Sequence, residues 1–211
     1  MRKMNSGRVY GFVGPIGGGK TYQLNKLMDS SLNEERVFIS SDFSDGIRNT
    51  LLKVFGEGGV IDPASEFYAR WKDCEQGIIL PTDNHNHVYF KGRDLLKNIG
   101  EELKKLAGDG VWARWTGNDV SRKYFSITDP KQQNTANVAF GSIRYSYEAE
   151  MVFSVAKIIG KGVKIIFCNY NESEFNPDTH SSEILAHQMI SRGCKHCDDI
   201  TELIKEHFKI K

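Results

Sequence analysis

The sequence predicts an α/β fold, a mostly parallel central sheet layered between helices. Three observations carry that expectation. Short apolar runs alternate with stretches of helical spacing, and Val9–Val13, Arg36–Ser40, Val138–Ile143 and Val163–Cys168 read as strands. The first run leads at once into Gly14-Pro-Ile-Gly-Gly-Gly-Lys20-Thr21, which fits G-x-x-x-x-G-K-[ST]. Tyr22, Leu24, Leu27 and Met28 then recur at helical spacing, so strand, loop and helix follow in the order a phosphate-binding loop needs. The expectation is a three-layer P-loop NTPase fold.

The residue types in the loop match its chemistry. Gly14, Gly17, Gly18 and Gly19 let backbone N–H groups approach phosphate oxygens and allow positive φ where the cradle needs it. Lys20 is the expected contact to the β- and γ-phosphates of ATP, and the Thr21 hydroxyl the expected ligand of Mg²⁺.

The chain has 211 residues and a net charge of +1, which suits one domain and makes no electrostatic case for nucleic acid or an acidic membrane. No apolar run approaches the length of a membrane span, and Met1 to Gly7 lacks the apolar core of a signal peptide. A soluble cytoplasmic protein is the expectation, with small-molecule nucleotides as partners and a homodimer as an option.

Beyond the first helix, Asp42 and Asp45 lie just past a strand end and lead into a helix from about Ile47 to Phe55. Helix capping and substrate contact are both open to them. Leu95, Leu96, Ile99, Leu103 and Leu106 mark an amphipathic helix from Arg93 to Leu106, and Val111–Trp115 begins another helical stretch. Asn118 to Asn137 is polar and reads as a loop or hairpin insert, mobile together with Asn169 to Asp178. Arg144 to Ile159 reads as a helix, Ser181-Ser-Glu183 opens another to about Ser191, and a last amphipathic helix runs from Asp199 to about Phe208. The whole is one domain with a helical insert over about 45–137.

Cys194-Lys-His-Cys197 is a CxxC without a second ligand pair of zinc spacing, so incidental loop cysteines are the better reading. His85 and His87 are likewise read as exposed loop residues.

Several later segments resemble the deoxynucleoside monophosphate kinases of tailed phages and their bacterial relatives. Gly92-Arg93-Asp-Leu-Leu-Lys-Asn-Ile-Gly100 with Asp109-Gly-Val-Trp112 is similar to that family's GR-x-LLQ-x-hG…D-x-W helix. Ser142-Ile-Arg144-Tyr-Ser-Tyr-Glu148-Ala-Glu150 resembles its strand-end D-V-R-F-x-x-E-A-E, and Asp178-Thr-His180-Ser-Ser182-Glu183 its D-x-H-x-S-E. Phe43-Ser-Asp45-Gly-Ile-Arg48 falls where the family carries F-A-D-x-h-K. The matches occur in order and span most of the chain.

The resemblance implies a nucleoside monophosphate kinase-like fold and transfer of the γ-phosphoryl group of ATP to a (deoxy)nucleoside 5′-monophosphate, with Mg²⁺. It implies Lys20 and Arg144 as catalytic groups and Arg48 and Arg93 facing phosphates, with Trp112 and the Asp42–Arg48 region flanking the acceptor. Arg114 is a further phosphate candidate on chemistry alone. The chain departs from the family at Ser142, where the strand-end aspartate belongs, and Asp129 and Asp42 are the two candidate replacements, Asp129 as a metal ligand. It also has Lys105 and Asn169-Tyr170 where the family has arginines. Two other readings stand beside the kinase: a phosphotransferase for a different small molecule, as in dephospho-coenzyme A kinases, and a degenerate ATP-binding regulatory module.

Overall fold

The computed structural model describes residues 6–47, 78–81, 87–90, 92–176 and 183–210, with backbone alone at 78–81, 87–90 and 92–96. Its elements are β1 (Val9–Val13), α1 (Lys20–Asn33), β2 (Phe38–Ser41), β3 (Ile78–Pro81), β4 (His87–Phe90), α2 (Gly92–Ala107), α3 (Val111–Phe125), α4 (Pro130–Thr135), β5 (Asn137–Ser142), α5 (Ser146–Ile158), β6 (Val163–Phe167), α6 (Ile184–Ser191) and α7 (Thr201–Phe208). The chain divides into two units, Met1–Phe43 with Ala113–Lys211, and Ser44–Trp112.

The first unit is an α/β fold on a wholly parallel sheet of order β2-β5-β1-β6. Its strands are short, and β1 and β5 are buried almost throughout, as expected when helices cover both faces. Alternation along β1 splits its side chains between two cores. Val9 and Val13 join Val138, Phe140, Ile165 and Phe167 in the larger core, with Val152, Val155 and Ala156 of α5, Met189 of α6 and Ile204 of α7. Tyr10 and Phe12 face the other way, where Leu24 and Leu27 of α1 cover Ala139 and Cys168. Burying one such aliphatic or aromatic side chain contributes about 1.5–3 kcal/mol, so the sheet is held chiefly by these two layers.

The segment expected as a polar insert is instead helical to Phe125, and α4 follows before β5. Ala113, Thr116, Val120 and Tyr124 bury one face of α3 at intervals of three and four. Gly117 lets it cross α5 closely, since a Cβ there would meet Met151 Sδ at 2.1 Å. Residues 113–137 belong to the first unit, and the second unit spans Ser44–Trp112.

In the second unit, β3 and β4 form an antiparallel hairpin, and α2 leads toward α3. Trp112 is buried there, its Nε1–H donating to Gly100 O at 3.2 Å, and Ile47 Cδ1 closes on the same glycine. The helix expected over 47–55 is described only to Ile47, and His85 and Cys74 lie outside the described residues.

Candidate phosphate-binding site

In a parallel sheet the strand C-terminal ends share one edge, where the crevice of such folds opens. The loop from Gly14 to Thr21 leaves β1 at that edge and becomes the first turn of α1. Its glycines answer to two different demands. Gly17 and Gly19 have φ of 74° and 88°, a region that costs a side-chain-bearing residue about 1–2 kcal/mol. Gly14 and Gly18 instead lie against a carbonyl, because a Cβ would meet Cys168 O at 2.0 Å and 2.4 Å.

The turn after β6 is thus the floor of the loop. Cys168 N–H donates to Val13 O at 2.7 Å, and Tyr170 N–H to Gly18 O at 3.1 Å. Asn169 closes this turn on itself, donating to Ser173 O and accepting from Ser173 N–H. His196 of the CxxC segment accepts the Asn169 N–H on Nδ1 and sits edge-on to Tyr170. The Gln23 side-chain amide nitrogen lies 3.1 Å from His196 Nε2 and donates to Cys197 Sγ at 3.2 Å. Cys194 and Cys197 are free thiols in this bracing segment.

Within the loop, the Lys20 ammonium donates to Gly14 O at 2.6 Å and Pro15 O at 2.7 Å. Burial pushes its pKa down, the Arg144 charge adds to this, and Cys168, Glu183 and Asp42 pull it back up. Those groups come from widely separated places. Asp42 follows β2, and its carboxylate lies over Gly141 of β5, where a Cβ would meet Oδ2 at 2.3 Å. Arg144 stands exposed after β5. Glu183, at the N-cap of α6, accepts the N–H of Ile16. Sequence reading placed Glu183 in a motif and gave it no role, because its partner is 167 residues away.

Glu148 is a second group without a prior assignment. It reaches back from the first turn of α5, and its Oε2 accepts the N–H groups of Arg144 at 2.6 Å and Tyr145 at 3.2 Å. Burial pushes its carboxyl up to about 7, the amides and charge at Arg144 and Tyr145 pulling against that and Asp42 adding to it. Glu148 therefore fixes the backbone from which Arg144 projects. Beside it, a cavity of about 350 Å³ opens between the stacked Tyr145 and Tyr147 rings and Leu185, His207 and Phe208.

The remaining expected residues are not all brought here. Thr21 sits exposed in the first turn of α1, beside Lys20. Asp129 is at the wrong end of the sheet for a metal role at the loop. It caps α4, accepting Lys131 N–H at 2.8 Å, and α4 precedes the N-terminal end of β5. Arg114 is exposed on α3. Trp112 belongs to the second unit, as does Arg93, whose side chain lies outside the described residues, as does all of Arg48.

A loop of this form fits a nucleotide triphosphate. The Glu183 carboxylate already sits on one loop N–H as an anion would, and Lys20 is held by weak backbone acceptors that a phosphate outcompetes. Among the described residues no helix is long and apolar enough to cross a membrane. No family model matches the chain. No curated protein matches it either. Among solved structures, the chain is similar to a cysteine-to-alanine mutant of the APS kinase CysC of Mycobacterium tuberculosis, at 14% identity and a TM-score of 0.33, covering 88% of this chain and 96% of that one.

Proposed function

We propose that the protein is an ATP-dependent kinase that phosphorylates a (deoxy)nucleoside 5′-monophosphate. The observation that carries this is the meeting of Lys20, Asp42, Arg144 and Glu183 charges around one glycine loop at the strand ends. Phosphoryl transfer asks a protein for positioning and charge neutralisation rather than covalent chemistry, and this set supplies both.

Mg·ATP, when bound, supplies the phosphoryl group and a divalent charge against it. The loop amides and the N-terminus of α1 hold the β- and γ-phosphates. Lys20 exchanges Gly14 O and Pro15 O for phosphate oxygens, and Glu183 gives up the Ile16 N–H. Asp42 takes the place of the aspartate missing at Ser142, because the β2 strand end delivers its carboxylate over Gly141 next door. Thr21 offers the hydroxyl at the loop end. Arg144 neutralises charge on the transferring group, held in place by Glu148 beneath its backbone. An acceptor phosphate is already ionised, so no general base is needed.

The test is an ADP-release assay with Mg·ATP and each of the four deoxynucleoside monophosphates, with Lys20→Ala as control. Acceptor-dependent turnover that disappears in the variant supports the reading. ATP binding with no turnover on any acceptor sinks it in favour of an ATP-binding module.

A further inference from the structure

A cavity of about 460 Å³ in the first unit is not at the loop at all. It opens at the N-terminal ends of the strands, beneath the last turn of α1. Arg8 precedes β1, Arg36 precedes β2, and Asn137 begins β5. Strands of four to six residues separate it from the glycine loop by about 16 Å, at about 3.3 Å per residue.

Its walls are polar and prearranged. Asn137 accepts the Arg8 backbone N–H on Oδ1 at 3.0 Å and donates from Nδ2 to Ser31 Oγ at 2.9 Å. The α1 carbonyls at this end are taken by the N–H groups of Glu34, Glu35 and Arg36, so the helix presents no row of bare oxygens. Both guanidinium groups bear on the Tyr10 hydroxyl: burial pushes its pKa up, and the Arg8 and Arg36 charges draw it down. Glu34 is the one anion lining the cavity. Its Oε2 forms an ion pair with Arg36 Nε at 2.8 Å. Lys161 adds a third positive charge within reach of Arg36.

Arg8 and Arg36 against the single Glu34 carboxylate leave the lining with net positive charge, which suits an anionic ligand. Two arginines bordering one polar cavity present N–H donors from two elements, which suits the several oxygens of a phosphate dianion. The volume is in the range of small-molecule sites. Among the described residues, Leu27 and the Tyr10 ring are the only apolar lining, which suits a ligand whose remainder is polar.

We propose that this cavity binds a small phosphate monoester with a polar body, its phosphate held between Arg8 and Arg36. The site is separate from the glycine loop and stands whether or not the kinase reading holds.

The experiment is calorimetric titration of the full chain with ribose 5-phosphate, inorganic phosphate and succinate, in wild type, Lys20→Ala, Arg8→Gln and Arg36→Gln. Ribose 5-phosphate binding that survives Lys20→Ala and weakens at least about tenfold in either arginine variant supports the site. Arg36 is mostly buried, so Arg8→Gln carries the test if Arg36→Gln fails to fold; Arg8 is exposed and its link to Asn137 uses backbone alone. Binding lost in Lys20→Ala but kept in Arg8→Gln assigns the phosphate to the loop and overturns the proposal. So does an absence of saturable binding at millimolar ligand, or succinate binding more tightly than either phosphate.

Discussion

The Asp42 carboxylate lies over the backbone of Gly141, so close that a Cβ there would meet Oδ2 at 2.3 Å. Two adjacent parallel strands thus deliver one carboxylate to the place where Ser142 offers none. The register Ser41↔Phe140 sets this, since Asp42 and Gly141 are the next residues on each strand.

If Asp42 is the acidic partner of the metal, Asp42→Asn lowers kcat by about 10² to 10³ while leaving the melting temperature nearly unchanged. Gly141→Ala, which displaces the carboxylate without removing it, gives a smaller loss of the same kind. Steady-state ADP release in the two variants checks the order. Full activity in Asp42→Asn removes it from the mechanism.

Glu183 holds the Ile16 N–H as a stand-in for a phosphate oxygen. Glu183→Gln keeps the shape and removes the charge that a γ-phosphate must displace. Metal-free ATP is expected to bind about three- to tenfold more tightly, or about 0.7–1.4 kcal/mol. Calorimetry without Mg²⁺ reads this directly, and weaker binding would show that Glu183 helps rather than opposes the nucleotide.

The Glu148 carboxyl rises from 4.5 to about 7 in the folded chain. Between those two values the folded state binds more protons than the unfolded one, so stability falls as pH rises through that window. The loss is on the order of 3 kcal/mol when complete. Glu148→Gln keeps an acceptor for both N–H groups and cannot ionise. It is expected to match wild type near pH 5 in urea unfolding and to exceed it near pH 8; parallel curves across that range would count against the assignment.

Gly14 and Gly17 should respond differently to alanine. Gly17 has φ of 74° with only Asn171 Nδ2 at 3.6 Å, so Gly17→Ala costs about 1–2 kcal/mol of backbone strain. Gly14→Ala drives a methyl to 2.0 Å from Cys168 O, a backbone atom that cannot swing away. Its cost is expected to be the larger of the two, with nucleotide binding lost along with it. Urea unfolding of both variants, with equal losses as the contrary result, decides.

The helix through Asn118 shows why part of the first unit was illegible in the sequence. Its buried face carries Ala113, Thr116 and Gly117 beside Val120 and Tyr124. Small residues mark a close helix crossing but carry little hydrophobic period, so a helix packed on Met151 reads as a polar loop. Asp129, a candidate replacement on sequence alone, instead caps a short helix ahead of β5, a place set by tertiary position rather than by residue type.

The glycine loop, its flanking strand and helix, and the parallel α/β class were determined by the sequence alone. Each rests on local physics: consecutive N–H groups make the cradle, and apolar period sets strand or helix. Which carboxylates and cations face that loop was decided only by the tertiary structure. Asp42 and Arg144 leave two different strands and Glu183 opens α6; strand order, with β5 inserted between β2 and β1, brings the first two toward Lys20. Strand order is a property of the assembled sheet, because pairing energy depends on partners that lie far apart along the chain.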